Sequence, residues 1–194
     1  DKLVVAQPNY ATNIETPRAI GAHISFLQLR FEQRFELDIE VLETLITPGT
    51  KLVSLTYPHN PTGAMISEQK LLEAINIIEQ KGCRLLIDET YREMSFPHHL
   101  PVAAALSDKV ISVSSMSKAY GLPGIRIGWI ACKDAQLMET FLAAKEQIII
   151  TNSVADEYIA QQYLANREKL FAPVKEKILQ NFLITRTFMQ QQQL

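Results

Sequence analysis

Cysteine is scarce in this chain. Its 194 residues include 2, Cys83 and Cys132, and neither belongs to a CxxC pair. That excludes a disulfide scaffold and predicts reduced thiols, as in cytoplasmic proteins. A dominant charge is lacking too: 19 lysines and arginines face 21 aspartates and glutamates, a net charge of −2 with the signs mixed. No basic face emerges, so nucleic acid is not an expected partner. No apolar run approaches the ~20 residues of a membrane-spanning helix, so no membrane is expected either. The sequence shows no charged stretch leading into an apolar one, as a secretory leader would, and a cytoplasmic location is the expectation. It opens on "DKLVVAQP" without a start methionine and closes on "TRTFMQQQQL", an amphipathic helical pattern ending in glutamines. We expect a piece of a longer polypeptide.

What is present is the composition of an ordinary globular protein, 47% apolar and 21% charged. This length supports one sizeable core, or one large domain with an appendage. Short apolar runs alternate with helical patterns. The runs are "LVVAQ", "HISFLQL", "KLVSLTY", "RLLIDE", "KVISVSS" and "RIGWIAC". Most are apolar on both faces, as strands buried between helices are. "LDIEVLETLI" reads as a helix capped by Asp38. "SEQKLLEAINIIEQKG" reads as one from Ser67 to Gly82, with Leu71, Leu72, Ile75 and Ile78 on one stripe. Residues 134–149 and 153–170 read as helices. Pro17 is expected to cut the helix after "PNYATN", and Pro173 to break the chain or start a new first turn. The alternation predicts an α/β fold of three layers, a mainly parallel sheet flanked by helices. Residues 1–150 form its large domain, in part. Residues 151–194 form a helical segment leading toward a small domain that this stretch lacks.

In open α/β sheets, ligands collect at the carboxyl ends of the strands. There the chain places Asn60 in "LTYPHNPTG", Asp88 and Tyr91 in "IDETY", Ser115 and Lys118 in "SVSSMSK", and Arg126 after "AYGLPGI". Each has an ordinary reading on its own. Asp88 can cap a turn, Asn60-Pro61-Thr62-Gly63 can be only a turn, and Lys118 and Arg126 can be solvated cations. Together, one amide, one carboxylate, one phenol, one amine and one guanidinium can share a rim. His98 and His99, in "FPHHLP", have no acidic or cysteine partner at ligand spacing, so no metal is expected.

In order and separation, "NPTG", "IDETY" and "SMSKAYGLPGIRIGW" resemble the fold-type I pyridoxal-phosphate enzymes of the aspartate aminotransferase family, class I and II. The resemblance spans nearly all of residues 1–150. It implies pyridoxal 5'-phosphate as cofactor. Lys118 matches the lysine that condenses with the cofactor aldehyde and moves the substrate Cα proton. Asp88 matches the carboxylate that keeps the pyridine nitrogen protonated. Tyr91 and Asn60 match donors to the ring oxygen. Ser115 and Arg126 match phosphate ligands, and a guanidinium fork suits that dianion. Tyr10, in "QPNY", matches the aromatic that stacks on the ring. Ser117 and Tyr120 flank the lysine without an assigned role.

The resemblance also implies a glycine-rich helix start and an arginine for the substrate α-carboxylate, and this stretch contains neither. The expected activity is transfer of an α-amino group between an amino acid and a 2-oxo acid, by a homodimer in the full-length protein. Alternatives are other carbanion chemistry on the same fold (a lyase, a decarboxylase or an amino-acid cyclase), or a non-catalytic fragment. This stretch alone is expected to bind pyridoxal phosphate weakly.

Overall fold

The computed structural model describes residues 1–96 and 99–192. Its first elements are β1 (Lys2–Gln7), α1 (Thr12–Ala19), β2 (His23–Gln28), α2 (Ile39–Leu45), β3 (Thr50–Thr56) and α3 (Glu68–Lys81). Next come β4 (Arg84–Asp88), β5 (Val110–Ser115), β6 (Gly128–Ala131), α4 (Ala135–Ile148), α5 (Val154–Ala165) and α6 (Arg167–Gln191). All six apolar runs are strands of one sheet, in the order β2-β1-β3-β4-β5-β6.

The first five strands run parallel and β6 runs antiparallel to β5, so the sheet is mainly parallel and flanked by helices, as expected. Central strands need apolar side chains on both faces. Val4, Val5, Val53, Leu55 and Leu85 are accordingly 0–1% exposed, which stabilises the fold by about 1.5–3 kcal/mol per large side chain. β2 and β6 form the edges, and they are largely exposed rather than buried on both faces.

Local signals set the helices. Asp38 Oδ1 accepts the Val41 N–H at 3.0 Å, Ser67 Oγ the Lys70 N–H at 3.2 Å, and Asp134 Oδ1 the Leu137 N–H at 3.0 Å. Gly82 ends α3 with φ +70°, a left-handed conformation that glycine adopts without strain. α3 buries Leu71, Ala74, Ile75, Ile77 and Ile78.

Three expectations are corrected. Leu72 lies off the buried stripe and is 47% exposed, because the stripe widens toward Ala74 and Ile77 instead. Pro17 and Pro173 lie inside α1 and α6 rather than ending or starting them. Both helices are mostly exposed, so water can satisfy the carbonyl that each proline leaves without its N–H. The pattern over 153–170 is two helices, which part at Asn166.

A second apolar cluster lies beyond the main core. Met116, Ala119, Tyr120 and Ile125, from the β5–β6 connection, pack with Ala160 of α5. The Tyr120 ring also meets Tyr163 at 5.9 Å, Trp129 at 6.0 Å and Phe171 at 6.4 Å. The C-terminal helices therefore brace the segment that carries Lys118.

Candidate active site

Strand order and register bring the predicted residues to one edge. β1 is where the chain reverses its direction of growth across the sheet: β2 lies on one side of it and β3 on the other. Loops leaving β1 and β3 diverge there and open a crevice. Tyr10 lies on the first loop and Asn60 on the second. β4 ends at Asp88, with Tyr91 three residues on, and β5 ends at Ser115, three before Lys118. β6 begins at Gly128, so its reversed direction puts Arg126 at the edge where the other strands finish.

Backbone hydrogen bonds tie these ends together. The Tyr57 N–H donates to the Asp88 carbonyl at 3.1 Å, the Glu89 N–H to Val113 at 2.8 Å and the Met116 N–H to Ile127 at 3.0 Å. From β3 to β6 is three inter-strand steps, roughly 15 Å at ~4.8 Å each. Asn60 and Tyr91, both half-buried, line one cavity of about 1080 Å³ with Pro58, His59 and Met94. Asp88, Ser115, Lys118, Arg126 and Tyr10 share the edge without lining that cavity.

The side chains differ in how they are held. Asp88 Oδ1 accepts the Thr90 N–H at 2.9 Å, and Oδ2 has no partner among the described residues. Ser115 Oγ accepts the Ser117 N–H at 3.4 Å. Lys118 is exposed between buried Met116 and Ala119, and its ammonium has no partner among the described residues. Anchors on both sides of an unpaired amine fix the backbone and leave the side chain free to react. Arg126 is exposed, and its Nη1 donates to the Pro123 carbonyl at 2.9 Å. It holds φ +51°, a left-handed conformation that costs a non-glycine residue about 1–3 kcal/mol. Gly128 explains how the connection closes. A Cβ there would lie 2.8 Å from the Ser114 carbonyl oxygen, so only glycine lets β6 start this near β5. Tyr10 is 59% exposed.

Three residues that hold this edge had no role in the sequence reading. Tyr120 anchors the lysine-bearing connection, and burial raises its phenol pKa above the usual value. Glu89 is buried, and its Oε1 accepts the Ala103 N–H at 2.7 Å and the Ser112 hydroxyl at 3.2 Å. Burial pushes its carboxyl above the ordinary range, and the Ala103 and Ser112 bonds oppose that. His59 is buried beside Asn60, with Nε2 at 3.0 Å from the Pro8 carbonyl and Nδ1 at 2.7 Å from Thr62 Oγ1. The positions of His59 in "YPHNPTG", Glu89 in "IDETY" and Tyr120 in "SMSKAYGLPG" were the available signal. Of the histidine pair, His99 is exposed and His98 lies outside the described residues.

Known proteins resemble this chain over most of its length. Residues 1–182 match the family described as aminotransferase class I and II. The chain belongs to that family. It is 29% identical over 175 residues to a capreomycidine synthase of Streptomyces vinaceus, which covers 89% of this chain and 44% of the relative. It is 32% identical over 152 residues to a probable N-succinyldiaminopimelate aminotransferase, DapC, of Mycobacterium tuberculosis, or 76% of this chain and 38% of that one. A solved pyridoxal-phosphate-dependent aminotransferase from Streptococcus suis superposes with a TM-score of 0.93 at 31% identity, over 98% of this chain and 50% of that one. This chain thus spans about half or less of the length of these relatives.

Proposed function

We propose that this chain carries the cofactor half of a pyridoxal-phosphate-dependent aminotransferase, which moves an α-amino group between an amino acid and a 2-oxo acid. The observation that carries the reading is the shared edge. A carboxylate, two phenols, an amide, a hydroxyl, an amine and a guanidinium stand at one edge of five adjacent strands, β1, β3, β4, β5 and β6. That donor set fits a pyridoxal phosphate, whose ring nitrogen, ring oxygen, aldehyde and phosphate call for these groups. The Oδ2 of Asp88 and the ammonium of Lys118, without partners among the described residues, fit it too.

Bound there, the cofactor supplies an aldehyde and a ring able to take up the electron pair left when the substrate Cα loses its proton. The remaining work falls to the protein. Lys118 would hold the cofactor at its aldehyde carbon through its amine and, when that amine is free, would carry the proton from the substrate Cα. Ionised Asp88 holds a proton on the ring nitrogen, because opposite charges favour each other's charged forms. Tyr91 and Asn60 donate to the ring oxygen. Arg126 and Ser115 hold the phosphate, the former through a fork of donors and the latter through its hydroxyl. Tyr10 covers the ring face.

Three further points belong to this reading. Residues 1–150 form a partial large domain, and 151–194 lead toward a small one. The full-length protein is a homodimer, for which the exposed run Ile148, Ile149 and Ile150 supplies uncovered apolar surface. It works in the cytoplasm. A second reading is other carbanion chemistry on the same residues, favoured by the likeness to a capreomycidine synthase over 89% of this chain. The deciding experiment loads the natural-length protein with pyridoxal phosphate and adds an amino acid. Stoichiometric pyridoxamine phosphate supports transamination. Release of ammonia or carbon dioxide instead supports the second reading, and no cofactor uptake defeats both.

A further inference from the structure

His59 is one of the few polar side chains in the core, 3% exposed, and it lies at the crevice where the loops leaving β1 and β3 part. Its ring touches both loops. Nε2 lies 3.0 Å from the carbonyl of Pro8, and Nδ1 lies 2.7 Å from Thr62 Oγ1. In the neutral ring the proton inventory follows from the partners. A proline carbonyl only accepts, so Nε2 carries the hydrogen and donates it. Nδ1 therefore accepts, and the donor is the Thr62 hydroxyl. The same hydroxyl oxygen accepts the Ala64 N–H at 3.2 Å. Two backbone bonds close the turn around the histidine: Gly63 N–H to the His59 carbonyl at 2.7 Å, and His59 N–H to the Ala64 carbonyl at 2.9 Å. An unbroken chain of donors runs from Ala64 through Thr62 and His59 to Pro8.

The two loops so joined carry different site residues. Asn60 follows His59 directly. On the other loop, Asn9 follows Pro8, and its Oδ1 accepts both the Tyr10 N–H at 2.7 Å and the Asn13 amide at 2.9 Å. We propose that His59 is a positioning residue that fixes the Asn60 amide relative to Tyr10 by clamping the β3 exit loop to the Pro8 carbonyl. Both of its ring nitrogens are taken up by Thr62 and Pro8, so it acts through the loops it joins. Its effect is to hold the ring-oxygen donor and the stacking aromatic at one separation across the crevice. Burial lowers the imidazole pKa, which favours the neutral ring that the clamp requires. The proposal rests on the pyridoxal-phosphate reading of Asn60 and Tyr10.

The test uses the natural-length protein with pyridoxal phosphate as probe. Nitrogen NMR of the unmutated protein near neutral pH reads the tautomer directly, and Nε2–H with a bare Nδ1 is expected. His59→Gln keeps a donor that reaches Pro8, and cofactor affinity within about threefold of the parent is expected. His59→Asn and His59→Phe lose that reach. Each is expected to weaken cofactor binding by about tenfold, the scale of one buried hydrogen bond, and to shift the absorbance maximum of the bound cofactor. A merely structural histidine would not move that maximum, nor would glutamine restore it. An Nδ1–H or doubly protonated ring overturns the clamp even where the variants fail to fold. So does a parent protein that binds cofactor while all three variants bind it equally well. A parent that binds no cofactor at all defeats the aminotransferase reading instead, while the tautomer still decides whether the loops are joined as described.

Discussion

The carboxylate of Glu89 accepts the N–H of Ala103 at 2.7 Å across a 14-residue separation, joining the end of β4 to the segment that leads into β5. Glu89 follows Asp88 directly, so this bond fixes the backbone from which Asp88 projects. Replacing Glu89 with alanine strands the Ala103 N–H and the Ser112 hydroxyl. A loss of about 1–3 kcal/mol is expected in urea unfolding.

The same residue predicts a pH dependence. Burial raises the Glu89 pKa above 4.5, so between 4.5 and the raised value the folded state binds more protons than the unfolded one. Its contribution is fully present below 4.5 and is lost as pH rises through the folded value. Glu89→Gln cannot ionise yet keeps an acceptor for Ala103. Unfolding free energies measured across this window should fall with pH in the parent and follow a flatter course in Glu89→Gln.

Lys118→Ala should fold normally, since an exposed side chain without partners contributes within about ±0.5 kcal/mol. It should nevertheless yield no borohydride-trapped adduct with pyridoxal phosphate, whereas the parent is labelled at residue 118. Mass spectrometry of the digest reads both outcomes, and an adduct at another lysine would reassign the nucleophile.

Asp88→Asn keeps an Oδ1 that can accept the Thr90 N–H but loses the negative charge. The trapped adduct should still form. Single-turnover proton abstraction should slow by roughly 30-fold to several thousand-fold, because losing the partner of a buried charge costs ~2–5 kcal/mol. A rate within threefold of the parent would remove Asp88 from the chemistry.

Gly128→Ala drives a methyl group to 2.8 Å from the Ser114 carbonyl oxygen. Backbone rather than a flexible side chain must give way, and a loss of about 1–3 kcal/mol is expected in the urea midpoint. Because Ser115 and Arg126 flank this contact, affinity for inorganic phosphate should fall in the same variant.

The strands, and the helix from Ser67 to Gly82, were legible because each rests on local chemistry: apolar runs, a serine cap and a left-handed glycine. The strand-end residues were legible for another reason, since the rule that ligands gather at the carboxyl edge needs only chain order. What escaped depends on context. Leu72 has the right spacing but faces water. Pro173 sits in a helix whose exposure forgives it. The part played by His59 needs Pro8, which is 51 residues away. The left-handed turn at Arg126 follows from how tightly β6 folds back on β5, and no residue in "LPGIRIGW" announces it.

The reversal of β6 has a consequence for how this rim is assembled. Four strands, β1, β3, β4 and β5, deliver residues where they finish, but Arg126 arrives where a strand is about to start. Had β6 run the other way, its four residues at ~3.3 Å each would have carried the guanidinium roughly 13 Å away, past the opposite margin. The return into β6 thus contributes a guanidinium, where the outgoing segment after β5 contributes the Lys118 ammonium. Lengthening that return by even one residue should loosen the grip on an anion while leaving the lysine where it is.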